Sequence, residues 1–271
     1  MSAMKVLQRG QPGYPIGLEI IERPPARLYV LGELPQAPSV GVVGTRRCTG
    51  YGRRLAISFG EAVAGAGWCL VSGLARGIDG AAHEGTVAAG GVGVAVLGSG
   101  LDICYPPEHR RLRDDILELG GAVVSEYPPG TPPDRWRFPE RNRLIAGLVD
   151  ALVVVEAGVT GGALITARLG FEQGRKVFSV PGDVDRPSSE GCNRLIRDGA
   201  HPVLGPADLI EELTVVLGPP LSKPRGEVGP TETIEALAVR WKVPISEALV
   251  RVGAMEARGE VVIEGDAVRS I

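Results

Sequence analysis

Nine consecutive residues carry the densest chemistry in the chain: Arg135-Trp136-Arg137-Phe138-Pro139-Glu140-Arg141-Asn142-Arg143. Four arginines and two aromatic rings stand there against a single carboxylate. Guanidinium forks pair bidentately with phosphate oxygens, and aromatic faces stack on nucleic-acid bases. Pro139 fits the first turn of a helix, where its missing N–H would have had no partner. Phe138 and the arginines would then surround a helix N-terminus, a place that favours anions. Because Phe138 precedes proline, its own backbone is biased towards an extended conformation. The same residues also fit a solvated arginine face with Trp136 and Phe138 packed inward.

Other reactive side chains do not assemble into a catalytic pattern. Asp79 and His83 lie four apart on one face of a predicted helix. That spacing permits an acid–base pair. It fits better with Asp79 capping the helix start and a buried, hydrogen-bonded His83. Cys48, Cys69, Cys104 and Cys192 form no C-x-x-C, and His83, His109 and His201 complete no zinc pattern. Reduced, mostly buried thiols and no metal are expected. The turn Gly44-Thr45-Arg46-Arg47-Cys48-Thr49-Gly50 departs from G-x-G-x-x-G. Gly98-Ser99-Gly100 lacks the third glycine, and no Walker P-loop is present. Nicotinamide and ATP chemistry are therefore not expected, and neither a catalytic residue nor a cofactor is assigned.

The elements that must position the arginine stretch are legible from apolar runs. The chain has 271 residues, 44% of them hydrophobic, with 39 glycines and only 4% aromatics. Aliphatic strands with glycine turns favour α/β over a β-sandwich. Val40–Val43, Trp68–Val71, Val92–Leu97, Ala122–Ser125, Ala151–Val155 and Lys176–Val180 read as continuous buried strands, as in a parallel sheet. Helical patterns alternate with them, which predicts a Rossmann-like, doubly wound, mostly parallel sheet. Glycine turns at 44, 73, 98–100 and 161–162 follow strands, so they should gather at the carboxyl edge, where such sheets bind ligands. The arginine stretch follows a strand too. Arg46, Arg135, Phe138, Arg141 and Arg143 should overhang one edge, beside a helix opened by Thr160, Gly161 and Gly162.

Residues 1–38 read as an irregular leader with one short strand at Arg27–Leu31, and 39–213 as the sheet domain. Proline and glycine mark 214–230 as a linker. Residues 231–271 have a helix–helix–hairpin outline, that of a small winged-helix-like domain. That segment holds five cations and seven carboxylates, so a protein contact or vestigial role fits it better than DNA binding. The whole chain carries a formal charge of −3, although 25 of its 29 cations are arginine. Any nucleic-acid site is therefore a local patch. No signal peptide and no apolar run long enough to span a membrane are present, so no membrane partner and a cytoplasmic location are expected.

The ordered motifs carry a resemblance. Gly44-Thr45-Arg46, Ser72-Gly73-Leu74-Ala75-Arg76-Gly77-Ile78-Asp79, Ala95-Val96-Leu97-Gly98-Ser99-Gly100-Leu101-Asp102, Phe138-Pro139-Glu140-Arg141-Asn142-Arg143-Leu144-Ile145-Ala146-Gly147, Gly162-Ala163-Leu164-Ile165-Thr166-Ala167 and Val180-Pro181-Gly182 occur in this order. Over about residues 40–213 the chain resembles the DNA-processing protein A family. The resemblance implies a Rossmann-like protein, not an enzyme, that binds single-stranded DNA, forms homodimers and loads the RecA recombinase in natural transformation. It also implies DNA contacts at Arg46, Arg135 and Phe138. Residues 1–38 are too short for the helical N-terminal domain of many members, which is taken as absent. Pro107 stands where some members have a DNA-contacting lysine, and His109 where asparagine is common. Residues and resemblance together give a candidate DNA-binding set of Thr45, Arg46, Arg135, Phe138, Arg141, Asn142, Arg143, Gly161, Gly162 and Lys176. The dimer interface is placed on Leu195, Ile196, Pro202 and Val203, along an uncovered apolar edge. The alternative is a nucleotide-cleaving phosphoribohydrolase of the lysine-decarboxylase-like group. Its P-G-G-x-G-T-x-x-E signature needs a catalytic glutamate, which Gly158–Thr166 lacks.

Overall fold

The computed structural model describes residues 4–221, 232–241, 243–257, 261–264 and 267–270. The chain divides into two compact units, Met1–Ser222 and Lys223–Ile271.

In the first unit the elements follow in this order: β1 (Lys5–Gln8), α1 (Ile16–Glu19), β2 (Arg27–Gly32), β3 (Ser39–Val43), α2 (Gly50–Gly65), β4 (Cys69–Ser72), α3 (Ile78–Ala88), β5 (Gly93–Val96), a 3₁₀ turn (Pro107–His109), α4 (Arg110–Glu118), β6 (Ala122–Ser125), α5 (Arg137–Leu148), β7 (Ala151–Val154), α6 (Gly162–Glu172), β8 (Lys176–Ser179), α7 (Glu190–Arg197), β9 (His201–Pro202) and α8 (Pro206–Leu217). Nine strands form one sheet in the order β1-β2-β6-β5-β4-β3-β7-β8-β9. From β6 to β9 every pairing is parallel, while β1 and β2 add on antiparallel.

Strand alternation divides the core between the two faces of the sheet. Val40 and Val42 pack with Phe59 and Val63 of α2, Ile78 of α3 and Leu209 of α8. Val43 and Val154 pack on the other face with Leu144 and Ile145 of α5 and Ala167 of α6. Both faces are covered by helices, so β3, β4, β5 and β7 are buried at nearly every position, as their unbroken apolar runs predict. The fold is the expected Rossmann-like, doubly wound sheet.

Residues 5–32 are not an irregular leader, because β1, α1 and β2 belong to the sheet unit. β2 pairs with β6, with Val30 opposite Val124, and Leu28 and Val30 are fully or nearly fully buried. The strand expected at Arg27–Leu31 is β2, one residue longer at Gly32. β1, with mostly exposed side chains, offers no hydrophobic pattern to read.

The architecture fixes where a ligand site must lie. From β3 the chain winds outward through β4, β5 and β6, then returns to place β7 on the other side of β3. The direction of winding therefore reverses between β3 and β7, and the loops leaving their carboxyl ends diverge there and open a crevice. Val43 is in register with Val154, so Gly44 and Val155 leave the sheet side by side.

The second unit contains β10 (Glu232–Thr233), α9 (Ile234–Trp241), α10 (Ile245–Ala257), β11 (Val261–Glu264) and β12 (Ala267–Ser270), with β12 between β10 and β11. Leu237, Val252, Met255, Val261 and Val268 form its core. The expected turn at Gly265-Asp266 and residues 222–230 of the expected linker lie outside the described residues. The front of that linker, 214–217, is the last turn of α8.

Candidate nucleic-acid interface

A cleft of about 430 Å³ opens at the reversal point. Its walls include Thr45, Arg46 and Arg47 after β3, Arg135, Phe138, Arg141 and Asn142 around the start of α5, and Thr160, Gly161 and Gly162 at the start of α6.

The loop after β3 is fixed from beneath. The Thr45 N–H donates to the Glu156 carbonyl at 2.7 Å, and the Thr45 hydroxyl accepts from the Arg47 N–H at 3.2 Å. Glu156, whose importance the sequence reading missed, is only 5% exposed. Its carboxylate accepts from the Thr49 N–H at 3.1 Å and the Thr49 hydroxyl at 2.7 Å. The Thr49 hydroxyl in turn accepts from the Gly52 N–H and caps α2. One carboxylate at the end of β7 thus ties down the loop that carries Arg46. A carboxylate closing an apolar strand run was the available signal.

Phe138 lies half-buried over Gly98, and its ring centroid is 5.5 Å from that of Tyr105. The Arg46 guanidinium lies over the Phe138 ring, 4.6 Å from the centroid. Such stacking is a recognised cation–π geometry. Helix α5 begins at Arg137, so Phe138 is helical and Pro139 falls in the first turn as expected. The extended bias of a residue before proline is overridden here, because the helix starts upstream of the proline. Arg46, Arg47 and Arg135 are exposed, and among the described residues none is in an ion pair. Gly161 and Gly162 are exposed, and α6 has neither a side-chain cap nor a carboxylate in its first turn. Its free N–H groups therefore add positive potential to the cleft.

The remaining arginines of the nine-residue stretch have other tasks. Arg141 is 2% exposed and lies beneath the cleft. Its Nη1 donates to the Gly73 carbonyl at 2.8 Å and to the Val96 carbonyl. Burial lowers its pKa to about 10, which leaves it charged at neutral pH. Asp79 faces it across Gly73 and accepts from the Gly73 N–H at 3.1 Å. Burial raises the Asp79 pKa, opposed by Arg141 and Arg46. A Cβ at Gly73 would collide with both side chains, so only glycine fits there. Asp79 thus holds the turn after β4 rather than capping α3, and it is not paired with His83. His83 is fully buried and burial depresses its pKa to about 3, so it is neutral. His109 Nδ1 donates to the Leu74 carbonyl at 2.9 Å, a structural role.

Asn142 lines the cleft and its amide donates to the Gly162 carbonyl at 3.1 Å, fastening α5 to α6. Arg143 points away from the cleft and pairs with Glu126, both side chains being mostly buried. Lys176 opens β8, at the amino end of the sheet, whereas the cleft is at the carboxyl end. Arg143 and Lys176 are therefore not brought to the candidate site. Of the residues placed on a dimer edge, Leu195 and Val203 belong to the core. Ile196 is partly exposed and Pro202 exposed, and the neighbouring Leu204 is 78% exposed.

A doubly wound sheet with a cationic, ring-bearing cleft at its reversal point defines an α/β protein with a candidate anion site. Residues 5–214 match the family described as DNA recombination-mediator protein A, and the chain belongs to that family. It is 47% identical over 191 residues to protein Smf of Escherichia coli, covering 70% of this chain and 51% of that protein. The chain therefore spans about half the length of that relative. The crystal structure of DNA processing protein A from Streptococcus pneumoniae superposes with a TM-score of 0.71 at 38% identity, over 77% of this chain and 74% of that one. DNA processing protein A from Helicobacter pylori, described for its single-stranded DNA binding mode, matches with a TM-score of 0.71 at 27% identity, over 79% and 97%.

Proposed function

We propose that the cleft binds single-stranded DNA and performs no chemistry on it. The observation that carries this reading is the Arg46–Phe138 stack, which brings a cation suited to phosphate and an aromatic ring suited to a base together in a narrow crevice, the guanidinium lying over the ring. The open amides of α6 and the unpaired Arg47 and Arg135 line the same crevice. Single strands present unstacked bases and a flexible backbone to such a site, whereas a duplex must insert its edge. The Helicobacter pylori relative, described by its single-stranded DNA binding mode, supports the same assignment.

The phosphoribohydrolase reading has little support in the geometry. The one carboxylate lining the cleft, Asp79, is committed to Gly73, and the first turn of α6 holds none.

In the same reading the protein works as a homodimer and hands the strand to the RecA recombinase in recombination and transformation, in the cytoplasm. The short β9, with Pro202 and Leu204 exposed beside it, is the edge through which two copies would pair.

Titration of a labelled oligothymidine and of its blunt duplex across salt concentrations tests the DNA assignment. The strand should bind more tightly, with each phosphate contact contributing about −0.7 to the log–log salt slope. Equal affinity for the duplex would overturn the cleft as a single-strand site.

A further inference from the structure

We infer that Trp136 is a second stacking platform, which takes a base of the strand after it leaves the cleft. The inference rests on the single-strand reading of the cleft and extends its footprint. Trp136 is 57% exposed, unusual for the largest apolar side chain. It does not line the cleft, although Arg135 and Phe138 on either side of it do.

The ring is held rather than loose. Trp136 meets Tyr127 edge to face, with centroids 6.4 Å apart. The Arg137 guanidinium lies 5.0 Å from the Trp136 centroid and 5.2 Å from that of Tyr127. Arg137 is itself anchored by donation to the Pro132 carbonyl. Among the described residues it has no carboxylate partner, so its charge is available to a phosphate. A ring fixed before binding loses little conformational freedom when a base stacks on it.

The placement follows the sheet. The loops of β7 and β3 form the reversal point, Phe138 lies over Gly98 just beyond β5, and Tyr127 stands just beyond β6. Along the carboxyl edge the order is therefore the α6 amides, Arg46, Phe138, then Trp136 with Arg137. The ends of β3 and β6, over which the two ends of this row stand, are three strand spacings apart, roughly 14 Å, and the Arg46 side chain reaches across part of that distance to the Phe138 ring. That distance corresponds to about four nucleotides at stacked spacing, and fewer when the strand is extended. A strand lying along this edge meets alternating cations and rings, the pattern of single-strand binding surfaces.

Oligothymidines from about four to about twenty nucleotides, titrated against the full chain and its Trp136→Ala and Trp136→Phe variants, test the inference. The longer strands should bind Trp136→Ala about five- to twentyfold more weakly, while the shortest bind it as they bind wild type. Trp136→Phe should retain most of the affinity. Trp68 is 1% exposed and Trp241 belongs to the second unit, so binding of long strands should quench an emission component of the wild type that Trp136→Phe lacks. Unchanged affinity at every length with no change in emission would overturn the second platform and leave the cleft standing. A wild-type protein that binds no strand of any length would overturn the cleft reading, and this one with it.

Discussion

At the scale of single residues, arginines close together in sequence have separate fates, and substitution should separate them. Arg46→Ala should weaken single-strand binding and reduce the salt slope by nearly one phosphate contact, with an unchanged melting temperature. Arg143→Ala should do the reverse. It leaves Glu126 buried without its counter-charge, which costs about 3–5 kcal/mol of stability. Binding measured on the folded fraction should stay near wild type. A loss of DNA affinity in Arg143→Ala at full stability would return that residue to the interface. The sequence shows that Arg135, Arg141 and Arg143 are cations but not how deep each lies. Depth depends on what arrives above the side chain: Gly73 and Asp79 over Arg141, Glu126 over Arg143, solvent over Arg135. The placement of Arg46 and Phe138 in the cleft was legible because each is tied to a turn or a helix start that the sequence marks. Lys176 was misplaced because a strand-edge cation gives no sign of which end of the sheet it occupies.

His83 gives a second test at this scale. An unfolded chain takes up a proton on this histidine near pH 6.5, whereas the folded one holds it neutral down to about pH 3. Its contribution is therefore complete above pH 6.5 and is lost as pH falls, by up to about 1.4 kcal/mol per pH unit. Asp79 and Glu126, whose pKa values burial raises, act in the opposite direction. Urea unfolding of wild type and His83→Leu between pH 7 and about pH 5 isolates the histidine. The variant should lose less stability on acidification, and parallel curves would contradict the assignment.

At the scale of elements, the cleft depends on ties between loops that the sequence places far apart. Glu156, leaving β7, holds Thr49 at the start of α2, and the loop between β3 and α2 carries Arg46. Glu156→Ala leaves the Thr49 N–H and the α2 cap without their acceptor, which should cost about 1–3 kcal/mol. Single-strand affinity should fall with it, although Glu156 itself is buried away from any bound strand. Calorimetric melting together with strand titration checks both effects. An affinity loss without a stability loss would place Glu156 in direct contact with DNA. The alternation of strands and helices was readable because both faces of the sheet are buried and each strand is an apolar run. The pairing of β1 was not readable, since a four-residue strand with exposed side chains has no pattern to betray it.

At the scale of the whole molecule, the sheet presents β9 as a two-residue edge, with Leu204 exposed just after it. Light scattering at micromolar concentration should report a dimer, and Leu204→Asp should shift it towards monomer. A wild-type chain that remains monomeric would remove the edge from consideration. No helix among the described residues is long and apolar enough to cross a membrane.

The reversal between β3 and β7 has a consequence for how the protein comes into being. β3 pairs with β7 across more than a hundred residues of sequence, Val40 opposite Ala151. During synthesis β4, β5 and β6 can assemble on one side of β3 long before β7 leaves the ribosome. Throughout that interval β3 shows a bare hydrophobic edge, and the loop that carries Arg46 lacks its anchor on Glu156. On the single-strand reading, the growing chain should be at its most aggregation-prone while the cleft is still incomplete. Contacts of such separation also close slowly. Affinity for the strand should arrive late and all at once, with the emergence of the segment from Ala151 to Gly162, so that a ribosome-bound nascent chain stalled before it would pass DNA by.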